Sequence, residues 1–194
     1  MSIQMGRGVR RPRSGDSADG LPAWTHARQR QLWRAYAARG DVRAPIAVDE
    51  LASVAGIRVV VVGSLAEGCL ALLLPMVDGF SVRLAPGDPR EQRFSLAHEV
   101  AHSLLYDFSP GLKPAVRAGI VAGVALEAWC DRVARELLMP DSLVQESLSH
   151  TESVDVLAMR FGVPSDQFVI WRSERRSVGP SGFLGTRRAR HPAG

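Results

Sequence analysis

The chain has 194 residues, 46% of them hydrophobic, which suits one globular domain with a real core. Its formal charge of +4 and pI near 9.8 come largely from Arg7, Arg10, Arg11 and Arg13 at one end and Arg187, Arg188 and Arg190 at the other. Charge confined to tails is weak ground for a nucleic-acid surface. Cys69 and Cys130 form neither a CxxC nor a disulfide framework, and no secretory signal or membrane-length apolar run is present, so the expectation is a cytoplasmic protein with no membrane partner.

Residues 1–20, rich in Arg, Gly and Ser, read as a disordered leader. From Trp24 to Arg39 the apolar positions Trp24, Ala27, Leu32, Trp33, Tyr36 and Ala37 recur at helical spacing, and Gly40-Asp41 ends the pattern. Ala47–Ala55 predicts a second, short helix with Gly56 as its stop. The β-branched run Ile57–Val62 predicts a buried strand. Cys69–Leu74 and Phe80–Leu84 predict two more, joined across Pro75–Gly79 as a hairpin. After Pro86-Gly87-Asp88-Pro89 the chain enters a long helix, Glu91–Asp107. Ser109–Gly123 reads as a connection bordering a cleft. Val124–Met139, Ser142–His150, Ser153–Phe161 and Ser165–Arg175 then predict four helices. Helices, a small sheet, then helices again is an α+β order.

The helix at Glu91–Asp107 carries His98-Glu99-Val100-Ala101-His102, an H-E-x-x-H pattern. Residues four apart on a helix lie nearly one above the other, so His98 and His102 can aim two imidazoles at one metal ion, with Glu99 to the side. Phe94, Leu96, Ala97, Val100, Ala101, Leu104, Leu105 and Phe108 make the helix apolar nearly all round. It should therefore be buried, and buried His and Glu need partners. A catalytic zinc takes three protein ligands and keeps an open position. Glu127, which opens the next apolar-striped helix, is the leading third ligand. Asp131 lies one turn on, either bonded to an imidazole N–H or paired with Arg135. Zinc is the default ion for two His and one Glu, with Mn2+ or another divalent ion as the alternative. Glu99 would take the proton of a water attacking a peptide carbonyl and pass it to the leaving amine. Tyr106, four residues after His102, is either a transition-state stabiliser reaching the cleft or a packing aromatic.

Arg-Phe-Ser-Leu-Ala-His-Glu-Val-Ala-His (93–102) and Glu-Ala-Trp-Cys-Asp-Arg-Val-Ala-Arg-Glu-Leu-Leu-Met-Pro (127–140) resemble the two signatures of the ImmA/IrrE metallopeptidases. The upstream stretch from Pro45 to Val62 is similar to the lead-in of that family, giving a resemblance over about residues 40–175. It implies a zincin-like metallopeptidase domain with a small antiparallel or mixed sheet on the H-E-x-x-H helix and a short C-terminal helical segment. It also implies His98, His102 and Glu127 as ligands, Glu99 as base, and a helix-turn-helix transcriptional repressor as the protein cut, in stress response or mobile-element control. Asp131 stands where Asn is common in the family, and Val133 where Phe is common. The expected layout is a leader (1–20), the peptidase domain (21–140), a helical, helix-turn-helix-like segment (141–176) and a disordered tail (177–194).

Asp155–Arg175 supplies a rival. Val156, Leu157 and Phe161, the Gly162-Val163-Pro164 turn, and Phe168, Val169 and Trp171 form a helix-turn-helix-like pattern. The consecutive apolar residues Phe168–Trp171 fall where base-reading side chains would be needed, so packing or protein docking is favoured over DNA. The alternative function is a catalytically silent module that binds a repressor or DNA through these helices.

Overall fold

The computed structural model describes residues 23–107, 115–116, 124–151 and 153–177. The predicted leader and tail, Phe108 and most of the 109–123 connection lie outside these residues. In chain order the elements are α1 (Ala23–Ala37), α2 (Val48–Val54), β1 (Ile57–Val61), β2 (Ala71–Met76), β3 (Gly79–Leu84), α3 (Pro89–Ser103), β4 (Tyr106–Asp107), β5 (Ala115–Val116), α4 (Val124–Leu138), α5 (Asp141–Leu148), α6 (Val154–Phe161) and α7 (Ser165–Ser177). The fold is α+β.

The main sheet is mixed, in the order β1-β3-β2. β1 runs parallel to β3, with Ile57 opposite Phe80. β2 runs antiparallel to β3, with Met76 opposite Gly79. Alternation sends Ile57, Ala71, Phe80, Val82 and Leu84 into the core. Pro75, expected in the turn, sits inside β2 opposite Phe80. Because β2 is an edge strand, Pro75 can turn its missing N–H away from the ladder. The hairpin turn is therefore only Val77-Asp78. Gly79 has φ of 149°, and a Cβ there would stand 2.7 Å from the Gly56 carbonyl oxygen, so no other residue fits without movement.

α3 starts and ends earlier than its apolar pattern suggests. Asp88 is the N-cap: its carboxylate accepts the backbone N–H groups of Arg90 and Glu91, and Pro89 occupies the first turn, where a missing N–H costs nothing. At the other end Arg28, on α1, donates to the carbonyls of Leu104 and Tyr106. The chain leaves the helix after Ser103, and β4 pairs with β5. Part of the expected connection is thus a strand.

The buried apolar residues form one cluster from Leu32 on α1 to Trp171 on α7. Leu157, Phe161, Phe168 and Trp171 are the contribution of the α6–α7 hairpin, and Gly162, left-handed at φ 62°, caps α6. Among the described residues no helix is long and apolar enough to cross a membrane. Two long-range ties hold the frame. Arg135 on α4 is buried and bonds Glu174 through Nε and Nη2 and Gln167 through Nη1, all on α7. Half-buried Arg93, in the first half of α3, donates to the Gly162 carbonyl at 3.0 Å and to the Ile46 carbonyl at 2.7 Å. One guanidinium therefore joins the site helix to the segment before α2 and the turn before α7.

Replacing Arg93 with Met keeps most of the apolar stem and removes both of these bonds. Hydrogen bonds from a charged donor contribute about 1.5–3 kcal/mol each. Urea unfolding should therefore show a loss of about 3–6 kcal/mol, read as a lower midpoint with an unchanged slope.

Candidate metal centre

α3 buries Phe94, Leu96, Ala97, Val100 and Ala101, and its remaining polar strip of His98, Glu99 and His102 is half-buried between α4 and β2. α3 and α4 pack against each other, and both carry small buried residues, Ala97 and Ala101 on α3 and Ala134 on α4. Three of the predicted site residues consequently converge. His98 Nε2 is 3.0 Å from His102 Nε2 and 3.1 Å from Glu127 Oε2, and His102 Nε2 is 3.4 Å from the same oxygen. Ligand atoms on two corners of a tetrahedral zinc site with bonds of ~2.1 Å lie about 3.4 Å apart. The triangle matches that spacing with slight contraction.

The chemistry of the donors fits a cation as well. Asp131, one turn after Glu127, bonds His98 Nδ1 through Oδ1 at 2.8 Å. A proton on Nδ1 leaves the Nε2 lone pair of His98 directed at the triangle. Two ring nitrogens and a carboxylate oxygen at such range are mutually compatible when a positive charge lies among them. Glu127 is 56% exposed at its side chain, so the centre opens to solvent on that side.

Burial and charge push the neighbouring groups in different directions. Burial lowers the pKa of His98, but the Asp131 hydrogen bond and the nearby Glu99 and Glu127 carboxylates outweigh it, leaving the imidazole above its ordinary value. His102 falls below its ordinary value, because burial and the adjacent His98 outweigh the carboxylates. Burial raises the Glu99 carboxyl against the opposing pull of His98 and of its bond from the Leu73 N–H, 3.1 Å from Oε2. Asp131 is held below its ordinary value chiefly by the His98 bond.

Two features of the surroundings are not legible in the motif. The thiol of Cys130 lies within 4.8 Å of the ligating nitrogens of His98 and His102, so His98, His102 and Cys130 also form a candidate trio. Its only sequence signal is its position three residues after Glu127. Glu127 Oε2 stands 3.1 and 3.4 Å from the two imidazole nitrogens, while in the absence of an ion burial and three nearby carboxylates push the Cys130 thiol up. The second feature is Arg135, which turns to Glu174 and Gln167 and leaves Asp131 to His98.

Of the two readings of Tyr106, the geometry matches the packing aromatic. With α3 ending at Ser103, the one-turn spacing from His102 does not exist. Tyr106 instead opens β4, and its ring packs edge-on to Phe80 at 5.3 Å. Among the described residues no hydrogen bond joins its hydroxyl to the His98–His102 pair.

No curated protein matches the chain. Residues 84–170, running from the end of β3 into α7, match the family described as Peptidase_M78, IrrE N-terminal-like domain. The Pro45–Val62 stretch precedes this match, whereas both histidines, Glu99, Glu127, Cys130 and Asp131 fall within it. The paired-helix site lies wholly inside that span, so the match supports a metallopeptidase domain of the ImmA/IrrE type, with a zincin-like fold, over these residues.

Proposed function

We propose that this protein is a zinc-dependent endopeptidase that cuts a helix-turn-helix transcriptional repressor. The observation that supports it best is the convergence of His98, His102 and Glu127 at 3.0–3.4 Å with Glu99 beside them on α3. In this reading His98, His102 and Glu127 hold the zinc, and Asp131 fixes the ring of His98. Bound zinc supplies Lewis acidity at neutral pH. Glu99 takes the proton of the attacking water and returns it to the amine that leaves as the peptide bond breaks. Its pKa, raised by burial, brings it nearer the range in which a carboxyl can both accept and give a proton. Solvent access beside Glu127 gives a peptide a way in. The repressor as substrate rests on the resemblance of 93–102 and 127–140 to the family's signatures.

The silent-binder alternative draws on one observation. Val156 and Met159 on α6 and Val169 and Ile170 on α7 are exposed apolar side chains, which suits docking of a protein partner. The cations of α7 are partly committed elsewhere: Arg175 bonds Asp141 and lies over the Trp171 ring. That favours a protein over DNA for this surface.

Metal content separates the ligands from their supports. Purified wild type should carry about one zinc per chain, and Glu127→Ala should lose it on dialysis. Asp131→Ala should keep the site but bind zinc about 10–100-fold more weakly in a chelator competition. Undiminished retention by Glu127→Ala would move the third ligand to Cys130.

Activity separates enzyme from binder. Glu99→Gln should retain zinc and lose repressor cleavage by about a hundredfold or more, measured by gel and mass spectrometry. Equal cleavage by wild type and Glu99→Gln would remove Glu99 from the chemistry. If neither protein cuts while both bind repressor, the silent-binder reading holds.

A further inference from the structure

Glu99 is the one polar residue of the α3 strip whose partner comes from the sheet. β2 pairs antiparallel with β3, and in such a ladder alternate residues turn both backbone groups toward the partner strand or away from it. Ala85 donates to the Leu70 carbonyl, so Leu70 faces the β3 side; Ala71, Leu73 and Pro75 therefore face the free edge. At that edge the Ala71 carbonyl accepts from the Cys69 thiol, Pro75 has no N–H, and the Leu73 N–H points at Glu99 Oε2 from 3.1 Å. A half-buried carboxylate on a three-bond side chain is thereby pinned through one oxygen, leaving Oε1 for the water proton.

We propose that the backbone N–H of Leu73 is a positioning group for the reaction: it fixes the Glu99 carboxylate, so that the edge of the sheet sets the aim of the base. This rests on the hydrolase reading of the site. The alternative is that the bond merely satisfies a half-buried carboxylate. Removing the N–H alone separates the two. Loss of a positioning group lowers turnover through Glu99, while loss of a structural bond lowers stability whether or not Glu99 is a base.

The strand itself supplies the means. Pro75 already occupies the outward register two residues on, so Leu73→Pro removes an N–H the ladder does not use, and Leu73→Ala controls for the side chain. Replacing residue 73 with the α-hydroxy analogue of leucine, which turns the amide into an ester and keeps the side chain, covers the case in which the proline variant misfolds. The probe is the best-cleaved peptide from an internally quenched fluorescent peptide library. Relative to Leu73→Ala, the proline and ester variants should keep zinc and thermal midpoint, lose about 10–100-fold in kcat, and hold KM within about twofold. In a Glu99→Gln background the same replacements should cost nothing further, because the group they act through is gone. Unchanged kcat in the ester variant would overturn the proposal. So would an equal loss in the Glu99→Gln background, or zinc lost together with activity in both variants. A wild type inert toward the whole library, or a Glu99→Gln protein as active as wild type, would instead overturn the hydrolase reading, and this inference with it.

Discussion

The close approach of α3 and α4 is the constraint on which the rest depends. Ala97, Val100 and Ala101 on one helix and Cys130, Val133, Ala134 and Leu137 on the other are all buried in the common core. Each helix buries its apolar residues into the common core, and that fixes where the polar strip between them must lie. Had the contact been lined by Leu and Phe alone, the helix axes would stand farther apart. Glu127 Oε2 could not then reach both imidazoles. The packing of the two helices and the assembly of the site are therefore one problem.

That strip is costly to assemble. Two imidazoles and three carboxylates meet at a partly desolvated helix–helix boundary, and like charges there repel. A divalent cation offsets the excess of negative charge, and its binding free energy adds to folding free energy. The frame around the strip is correspondingly tied down by guanidinium groups. Arg93 joins α3 to the segment before α2 and to the α6–α7 turn, Arg28 closes the C-terminal end of α3, and Arg135 clamps α4 to α7. Glu127, Asp131 and Arg135 are spaced four apart along one face of α4. The same register thus presents the proposed ligand, the partner of the His98 ring and the structural clamp in succession.

Local interactions are the ones a sequence makes legible. The helices and the three strands of the main sheet are readable from apolar spacing, and the His98–Glu99–His102 strip from a pattern spanning little more than one helical turn. Glu127 and Asp131 are readable because a four-residue step keeps them on one face, whatever α4 packs against. The end of α3 is not, because apolar Leu104 and Leu105 continue the helical pattern, yet Arg28, 76 residues away from Leu104, takes the terminal carbonyls instead. Tyr106 leaves the helix with that boundary. Proline usually ends a strand, which points Pro75 to the turn, and only the edge position of β2 explains its place inside one. The partners of Arg93 and Arg135, and the thiol of Cys130 beside the histidines, depend on long-range approach that no local window contains.

The two carboxylates nearest His98 differ in what the fold asks of them. Asp131 is bonded directly to the imidazole and is held below its ordinary pKa, so it remains ionised and keeps the ring oriented. Glu99 is more deeply placed, accepts the Leu73 N–H, and is pushed above its ordinary pKa by burial. Two acidic residues of almost the same intrinsic strength are thus pushed in opposite directions, as the proposed division into an orienting anion and a proton carrier requires. Environment alone divides them, and such a division marks the acid–base partner in a hydrolytic site. The position of Glu99 on α3 puts it in the motif, but its depth beneath the edge of β2 is what suits it to the work.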